Sequence, residues 1–380
     1  MATKLEISDL DFDGIKTNLK NFLSQQDEFR DYDFEGSGMS VLLDLLAYNT
    51  HYLGYNANMV ANEMFLDSAD LRSSVVSKAK QVGYTPTSST SADAFVDVVV
   101  NNATGSSLTM SRGTKFTTTV NSISYSFVNN TELTITPSDG VYKFSNVKLN
   151  EGTLLNFKYT ANTSDTDQRF IIPNNNVDTN TLTVKVQESS SDTTTNTYTL
   201  ATGITALDST SKVYFLQEVE NGRFEVYFGD GVLGKAIADG NIVIFDYVVC
   251  NRNAPNGATT FTLSGTVGGF SSATVTTISN ATNGAGPESI ESIKFNAPRD
   301  YTSQDRAVTA DDYKVLVKSL YANAQSVQVY GGEDAATPEY GKVFISIKAK
   351  SGSNLTESTK ASIVTSLKQF AVASVRPVII

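Results

Sequence analysis

The spacing of the apolar residues changes twice along this chain, and that change limits what the chain can fold into. Residues 1–86 place apolar side chains at helical intervals. Residues 87–285 hold short alternating runs separated by turn signals such as Asn221-Gly222, a pattern typical of a sandwich or an open barrel. Residues 286–380 mix helical and strand patterns. We therefore predict a multidomain α+β protein with an N-terminal α-helical segment, a central β-rich domain and a C-terminal α+β unit.

A long helix is predicted to begin near Ser40 and to carry an apolar face too wide for one neighbour to cover. That face is formed by Val41, Leu42, Leu45, Leu46, Tyr48, Tyr52 and Leu53, and it is widened by Leu43 and Tyr55. A further helix is predicted over residues 68–82, capped by Ser68 and Gly83. Because a small helical unit buries little of its own surface, two interpretations stay open. The helices pack on the β domain of the same chain, or they complete a helical bundle shared between subunits.

Strands are predicted in the central domain at runs of β-branched and aromatic residues that turn signals divide. These places are residues 95–100, 122–128, 141–149, 212–219, 224–228 and 241–249. Thr87–Ser91 is interpreted as a polar linker, and the low-complexity run 192–197 as a surface loop. Helical signals are scarce, so the domain is expected to be almost entirely β.

The C-terminal region is predicted to follow the order α-β-β-α-β. Thr309 and Asp312 form a capping-box pattern at the start of the first helix, and Thr356 caps the second. Strands are expected at residues 326–330, 342–348 and 375–380. A right-handed crossover should place the last two strands parallel in one sheet, as in a split, ferredoxin-like unit.

The run Phe228-Gly229-Asp230-Gly231-Val232-Leu233-Gly234-Lys235 matches a phosphate-binding loop until its last position. Such a loop requires Ser or Thr after the lysine and then a helix, whereas this chain continues with Ala236 and a predicted strand. A structural role is therefore favoured, in which the glycines allow a compact loop between two strands and Asp230 accepts nearby N–H groups. The alternative, a nucleotide-dependent packaging or assembly factor, predicts ATP binding.

The charge and the few reactive residues of the chain argue against several classes of function. The formal net charge of −11, without a basic stripe, argues against a nucleic-acid surface. His51 is the single histidine and Cys250 the single cysteine, so the sequence can supply neither a cysteine- and histidine-rich zinc site nor an internal disulfide. Asp9–Asp13 opens a calcium-loop pattern, but Lys20 occupies the place of its glutamate.

The sequence offers no recognisable catalytic pattern, since no Gly-x-Ser-x-Gly elbow frames a nucleophile that His51 could activate. The early sequence shows no signal peptide and falls short of the roughly 20 apolar residues of a membrane helix. We therefore predict a protein that is not an enzyme, binds no cofactor and no metal, and contacts neither nucleic acid nor membrane. The single cysteine fits assembly in a reducing cytoplasm.

The 228–235 run also resembles the signature loop of the baseplate J-like family, which is found in contractile phage tails and related injection machines. Other stretches resemble that family in the same order, namely residues 78–86, 288–299, 306–313, 341–348 and 376–378. Residues 45–49 and 62–66 are similar to the baseplate wedge proteins of T-even-type phages. Residues 87–215 show little resemblance to either.

The resemblance implies a structural role in the tail baseplate of a virion. The subunit would join wedge proteins and link the baseplate ring to sheath contraction through rigid-body rearrangement. Its partners would be a second copy of the chain, other baseplate wedge proteins, and sheath-initiating or inner baseplate proteins. The N-terminal helices would enter a bundle with a second copy and a larger partner, using the apolar face that begins at Val41.

The resemblance and the central domain raise two further expectations. Wedge proteins of this type usually continue beyond a unit like residues 286–380, so the chain is expected to be the N-terminal part of a longer protein. The alternative function is a carbohydrate-binding or depolymerising tail protein that uses residues 87–285. Sugar-binding platforms usually carry Trp, which this chain lacks.

Overall fold

The computed structural model describes residues 11–26, 28, 33, 35–165, 168–201, 207–303, 306–321, 323–335, 337–349, 355–372 and 374–380. The chain divides into two compact units, Met1–Gln81 and Val82–Ile380. The first unit is helical, and the second contains every described strand.

The first unit is helical, as the sequence predicts, and its described residues form three helices. They are α1 Phe12–Leu23, α2 Gly38–Glu63 and α3 Arg72–Gln81. The Asp11 carboxylate caps α1 by accepting two N–H groups of its first turn. The Ser37 hydroxyl caps α2 by accepting the N–H of Ser40 at 3.0 Å. Lys16 on α1 and Asp44 on α2 form an ion pair at 2.5 Å, so the first two helices are packed against each other.

The start of α3 differs from the prediction, because the helix begins at Arg72 and Ser68 is not its cap. The Ser68 hydroxyl instead donates to the carbonyl of Asn62 at 2.7 Å. The Glu63 carboxylate accepts the N–H groups of residues 70–71, at 2.8 and 3.2 Å. A side chain at the end of α2 therefore supplies the acceptor that a local cap would have provided.

The described residues of the second unit begin with fifteen strands that build two large sheets and one small pair. They are β1 Asp93–Val100, β2 Leu108–Met110, β3 Lys115–Val120, β4 Ile123–Asn129, β5 Leu133–Ile135, β6 Tyr142–Glu151, β7 Thr153–Thr160, β8 Phe170–Ile171, β9 Val177–Gln187, β10 Thr195–Leu200, β11 Val213–Glu218, β12 Phe224–Phe228, β13 Ile242–Val249, β14 Thr262–Leu263 and β15 Ala273–Thr282. The six-stranded sheet has the order β14-β3-β4-β6-β1-β15, and the seven-stranded sheet β7-β13-β9-β10-β11-β12-β8. Every predicted strand of this region is present, with ends that shift by one or two residues.

Each large sheet curls until its two end strands approach each other. In the six-stranded sheet, the N–H of Ala281 on β15 donates to the carbonyl of Ala258, shortly before β14, at 2.9 Å. In the seven-stranded sheet, the Tyr159 hydroxyl on β7 donates to the carbonyl of Ile171 on β8 at 2.7 Å. This curling covers edges that would otherwise be open. The prediction of a β-rich, barrel-like region is confirmed.

Two separate apolar cores fill these sheets. Phe116, Phe127 and Phe144 are fully buried in the core of the six-stranded sheet. Phe245 and Tyr247 are fully buried in the core of the seven-stranded sheet. The burial of each such side chain contributes about 1.5–3 kcal/mol to the stability of the folded protein. The cores collect alternate residues of their strands, which is why alternation identifies these strands in the sequence.

Residues 87–91, interpreted from the sequence as a polar linker, are mostly buried. Ser91 donates its N–H and its hydroxyl to Oδ2 of Asp178 on β9, at 2.9 and 2.6 Å. The Ser88 hydroxyl lies 2.9 Å from the Thr179 hydroxyl. A polar segment can be buried when its groups find such partners, and composition does not reveal them. The segment therefore leads into β1 of one sheet while it is fixed to β9 of the other.

The predicted surface loop 192–197 is wrong in its second half. Residues Thr195–Leu200 form β10, which is antiparallel to β9 and parallel to β11. Threonine favours strands but fits either face of one. Its repetition therefore hides the alternation by which a strand is usually recognised.

The C-terminal part of the second unit contains three helices and a three-stranded sheet. Its elements are α4 Ile290–Ser303, α5 Ala310–Leu320, β16 Ala324–Gly331, β17 Lys342–Ala349, α6 Glu357–Leu367 and β18 Arg376–Ile379. β16 and β17 are antiparallel, and β17 and β18 are parallel. The predicted α-β-β-α-β order is confirmed from α5 onward, as is the capping box of Thr309 and Asp312. α4 precedes this order, and the sequence analysis does not predict it.

Candidate functional site

α2 buries one side, which is made mostly of small residues, and exposes large apolar residues on the other side. Its buried positions are Ser40, Leu43, Ala47, Asn58 and Ala61. Ten large apolar side chains on the opposite side are between 45% and 63% exposed. They are Val41, Leu42, Leu45, Leu46, Tyr48, Tyr52, Leu53, Tyr55, Met59 and Val60, and together they are called the α2 apolar face. It includes every residue proposed from the sequence for the helical bundle, whereas Leu43, which the sequence groups with them, is buried.

The α2 apolar face is continuous along the helix. Residues three, four or seven apart share one side of a helix, so Leu42, Leu46 and Leu53 form a row. In the adjoining row, the rings of Tyr48 and Tyr52 stack with their centroids 6.4 Å apart. Apolar surface of this extent is typical of a docking site for another protein.

The glycine loop, residues 228–235, is a compact turn between β12 and β13. Oδ1 of Asp230 accepts the N–H groups of residues 232–233, both at 2.9 Å. A Cβ at Gly229 would lie 2.4 Å from the carbonyl oxygen of Gly234. The loop therefore crosses itself at a distance that only glycine permits.

The N–H groups of residues 231–235 in the glycine loop are engaged within the protein. The N–H groups of Val232 and Leu233 bind Asp230, and the N–H of Gly234 donates to the carbonyl of Asp208 at 3.0 Å. The Lys235 ammonium lies 3.3 Å from a carboxylate oxygen of Glu188. Phosphate binding requires such groups to point at a ligand from the start of a helix, and here β13 follows instead. The geometry therefore favours the structural interpretation of the loop.

Asp230→Ala is expected to loosen the glycine loop. The N–H groups of Val232 and Leu233 lose their acceptor, so their hydrogen exchange should become about tenfold faster. Asp230→Asn retains an oxygen acceptor and should have a smaller effect. Exchange measured by mass spectrometry checks this, and unchanged rates in Asp230→Ala would reject the role given to the carboxylate.

The same loop has a defined pH dependence. The N–H groups of Leu233 and Val232 hold the pKa of Asp230 below its ordinary value of 3.8. Because the folded-state pKa is lowered, the stabilisation is complete at neutral pH. It is lost only as the pH falls through the folded-state pKa.

β12 departs from simple alternation at Glu225. Phe224 and Val226 are buried, and Glu225 between them is buried as well. Arg169 donates to both carboxylate oxygens of Glu225 at 2.9 Å, and Gln217 donates to Oε2 at 2.7 Å. A bidentate guanidinium compensates a carboxylate that has left water. Sequence reasoning misses it because Arg169 is distant along the chain.

Glu288 is a second carboxylate whose role the sequence analysis misses. It accepts the Tyr84 hydroxyl at 2.8 and 2.9 Å and the N–H of Thr87 at 3.2 Å. It also accepts the Ser292 hydroxyl at 2.7 Å and the Asn296 amide at 2.9 Å. Burial and the charge of Glu288 raise the pKa of Tyr84, so its hydroxyl stays a donor. Glu288, Ser292 and Asn296 are spaced four residues apart. This spacing is the signal in the sequence that could have revealed the polar row.

The other candidate residues have structural positions. Cys250 is buried directly after β13, and burial raises the pKa of its thiol to about 12. His51 is partly buried on α2. Within the described residues no cluster of side chains could hold a metal ion, and Asp9 of the calcium-loop pattern lies outside them. Among the helices in that part of the chain, none is both long and apolar enough to cross a membrane.

Three domain models of wedge proteins match the chain. "Baseplate wedge protein gp6-like, helical domain" matches residues 11–84, "Bacteriophage baseplate wedge protein gp6, third domain" residues 156–254, and "Baseplate structural protein gp6, C-terminal domain I" residues 309–380. The baseplate wedge protein gp6 of Enterobacteria phage T4 is 31% identical to this chain. The alignment is 398 residues long and covers 97% of this chain. The chain is similar to gp6-like baseplate wedge proteins over most of its length. It spans 58% of the length of the T4 protein.

These matches support the wedge part of the resemblance found in the sequence. The names of these relatives describe structural baseplate proteins. They do not favour the alternative of a carbohydrate-binding or depolymerising tail protein. Among solved structures, a chain in the cryo-EM structure of the anti-feeding prophage (AFP) baseplate, 6-fold symmetrised, is 10% identical, with a TM-score of 0.32 over 96% of this chain and 70% of that one. That similarity is too low to support an argument about the fold.

Proposed function

We propose that this gp6-like chain is a structural subunit of a contractile-tail baseplate wedge, carried in the virion. Its action is association and rigid-body rearrangement, and it turns over no substrate. Support comes from its wedge-protein relatives, whose names describe baseplate structure. The baseplate J-like resemblance of residues 228–235 belongs to the same proposal, since the loop forms the self-crossing turn that its glycines suggest.

The exposed α2 apolar face is the observation that carries this proposal. Complete burial of a large apolar side chain contributes about 1.5–3 kcal/mol. Ten half-exposed residues would then gain roughly 7–15 kcal/mol from a cover, against an association cost of about 4–15 kcal/mol. The gain and the cost are comparable, so stable assembly requires a partner that covers the whole face.

The proposed partners are a second copy of the chain, other baseplate wedge proteins, and sheath-initiating or inner baseplate proteins. The α2 apolar face is assigned to a helical bundle formed with the second copy and a wedge protein. The cover must be apolar and elongated, because the face runs along most of a 26-residue helix. An amphipathic helix laid along α2 meets that requirement.

We propose that three regions of the chain have different roles in the assembly. Residues 1–86 enter the bundle, residues 87–285 act as spacer and docking surface, and residues 286–380 pass movements to the baseplate ring. The last region is assigned a ferredoxin-like character on the basis of its α-β-β-α-β order and its parallel pair of β17 and β18.

Sedimentation of the purified chain, alone and mixed with the other tail proteins, tests the proposal. The expected result is self-association or a larger complex with at least one tail protein. A monomer that forms no complex with any tail protein would reject the assembly role. Leu43→Ala alters the buried side of α2 and leaves the α2 apolar face unchanged. Its sedimentation, compared with that of the wild type, shows how far helix stability alone affects assembly.

A further inference from the structure

β16 is an unprotected strand edge. It pairs with β17 on one side, and on its other side it forms no ladder with any described strand. Its residues Ala324–Gly331 contain no charge and no proline, and its pairing with β17 is regular except for a register shift between Ala324 and Ser326. Natural edge strands are usually short, charged, bulged or covered, because an open edge pairs readily with another chain. β18, at the opposite edge of the same sheet, has four residues and contains Arg376 and Pro377.

A cleft of about 470 Å³ opens beside the first residues of β16. Its other walls come from residues 284–289, α4 and α5, and the side chains that matter are Glu288, Asn296, Lys318 and Gln325. The strand edge therefore begins inside a concave and polar site. This cleft is called the β16 cleft below.

Asn296 supplies an acceptor in the β16 cleft that no described group uses. The side chain is 5% exposed. Its Nδ2 donates to Glu288 at 2.9 Å and to Ser292 at 3.0 Å, while its Oδ1 has no hydrogen-bond partner among the described residues. A buried carbonyl oxygen without a donor is costly. A ligand that brings an N–H group to this position would remove that cost.

Lys318 supplies a positive charge to the same cleft. Its ammonium lies 5.2 Å from the centroid of the Phe295 ring, and it forms no ion pair with a described residue. Glu288, the acid in the cleft, already accepts four donor groups of the chain. The cleft therefore presents an uncompensated cation to a ligand, and a carboxylate is the group that fits it.

We propose that the β16 cleft takes an extended segment of a different protein subunit, which adds as a strand to β16 and places a carboxylate on Lys318. Main-chain N–H and C=O groups of the segment pair with the open edge, as in other cases of strand addition. An N–H of the segment, from backbone or side chain, reaches Oδ1 of Asn296. The inference rests on the proposed assembly function and identifies a second contact surface for it.

The shape of the site selects a different subunit over a second copy of the chain. A two-fold contact requires the same surface from both partners. The edge of β16 begins within a cleft. When two copies of the chain approach each other, the rims of their clefts make contact first, and the first residues of the two β16 strands stay apart. A flexible, extended segment of another protein can enter the cleft without that conflict.

Hydrogen exchange of the purified chain and of baseplates assembled with it tests the inference. Residues 324–331 and 284–289 should exchange at least about tenfold more slowly in the baseplate than in the purified chain. Lys318→Glu should lower incorporation into baseplates about tenfold. Lys314→Glu, on the same helix but outside the cleft, is the matched control and should leave incorporation unchanged. Thermal melting of both variants confirms that each is folded, and the exchange experiment needs no variant.

Each outcome of this experiment is decisive. Slow exchange of residues 324–331 only in the baseplate supports the inference. Equal exchange in both states, with Tyr48 and Tyr52 shielded from side-chain labelling in the same baseplates, rejects the β16 cleft and leaves the proposed function intact. Slow exchange in the concentrated chain alone identifies a second copy and overturns the choice of a different subunit. Absence of the chain from baseplates overturns the proposed function and this inference with it.

Discussion

Leu42→Asp combined with Leu46→Asp should leave the purified chain folded and reduce its incorporation into baseplates by at least about a hundredfold. The two side chains are 54% and 53% exposed, so carboxylates at these positions stay hydrated in the free chain. Under a cover, both carboxylates would lose water without a cation to compensate them, which costs several kcal/mol, roughly 2–5 for each uncompensated charge. Quantitative mass spectrometry of purified baseplates measures the incorporated fraction.

The matched control for this pair is Thr50→Asp combined with Ala57→Asp. These positions are also exposed on α2 but carry no large apolar side chain. The control adds the same charge to the same helix, and its incorporation should fall much less. Equal incorporation of the apolar-face variant and the wild type would show that the face stays open in the baseplate.

Glu288→Ala should lower the free energy of unfolding by about 3–5 kcal/mol. The substitution removes the acceptor of the Tyr84 hydroxyl and of the Thr87 N–H. It also removes the acceptor of Ser292 and Asn296 on α4. Tyr84 and Asn296 are buried, so neither donor can turn to water without a local rearrangement. Denaturation by guanidinium, followed by tyrosine fluorescence, gives the measurement.

Two variants calibrate the Glu288 result. Glu288→Gln keeps one oxygen acceptor and should cost about half as much as the alanine variant. Glu291→Ala removes an exposed carboxylate, paired with Lys294 at 3.6 Å, and should cost about 0.5 kcal/mol or less. Comparable losses in Glu288→Ala and Glu291→Ala would contradict the central place given to the Glu288 cluster.

Local signals in the sequence identify much of the fold. The capping box at Thr309 and the turn at Asn221-Gly222 are short-range features, and both form as predicted. Both turn residues have positive φ, 60° and 69°, as this hairpin requires. A run of β-branched and aromatic residues identifies strands such as β13. These features succeed because the residues that cause them are neighbours in the chain.

Helices and strands rich in hydroxyl and amide side chains are not identified by such local signals. β15 reads Ala-Thr-Val-Thr-Thr-Ile-Ser-Asn-Ala-Thr, and its threonines occupy both faces of the strand. α4 carries Asn296 and the internal Pro298, which weaken a helical pattern, while its polar row binds Glu288. β15 pairs with β1, and the Glu288 side chain beside α4 binds the Tyr84 hydroxyl. Both partners are remote in sequence, so no local window contains them.

The candidate site shows the same division. Apolarity selects the outer residues of α2, such as Leu45 and Tyr52, which the structure places together on one exposed face. The inner positions are mostly small, Ala47 and Ala61 among them, but they also include Leu43, so hydrophobicity alone does not separate the two sides. The sequence cannot assign the cover of the outer side, since a broad apolar helix looks alike whether its own chain or another subunit covers it.

Hydroxyl-radical labelling of the α2 apolar face tests the central claim most directly. Tyr48, Tyr52 and Met59 are reactive side chains that are 60%, 55% and 45% exposed in the chain. Other subunits should cover them in the assembled baseplate, so their labelling should fall at least about tenfold relative to the purified chain. Equal labelling of these residues in the purified chain and in the baseplate would contradict the account.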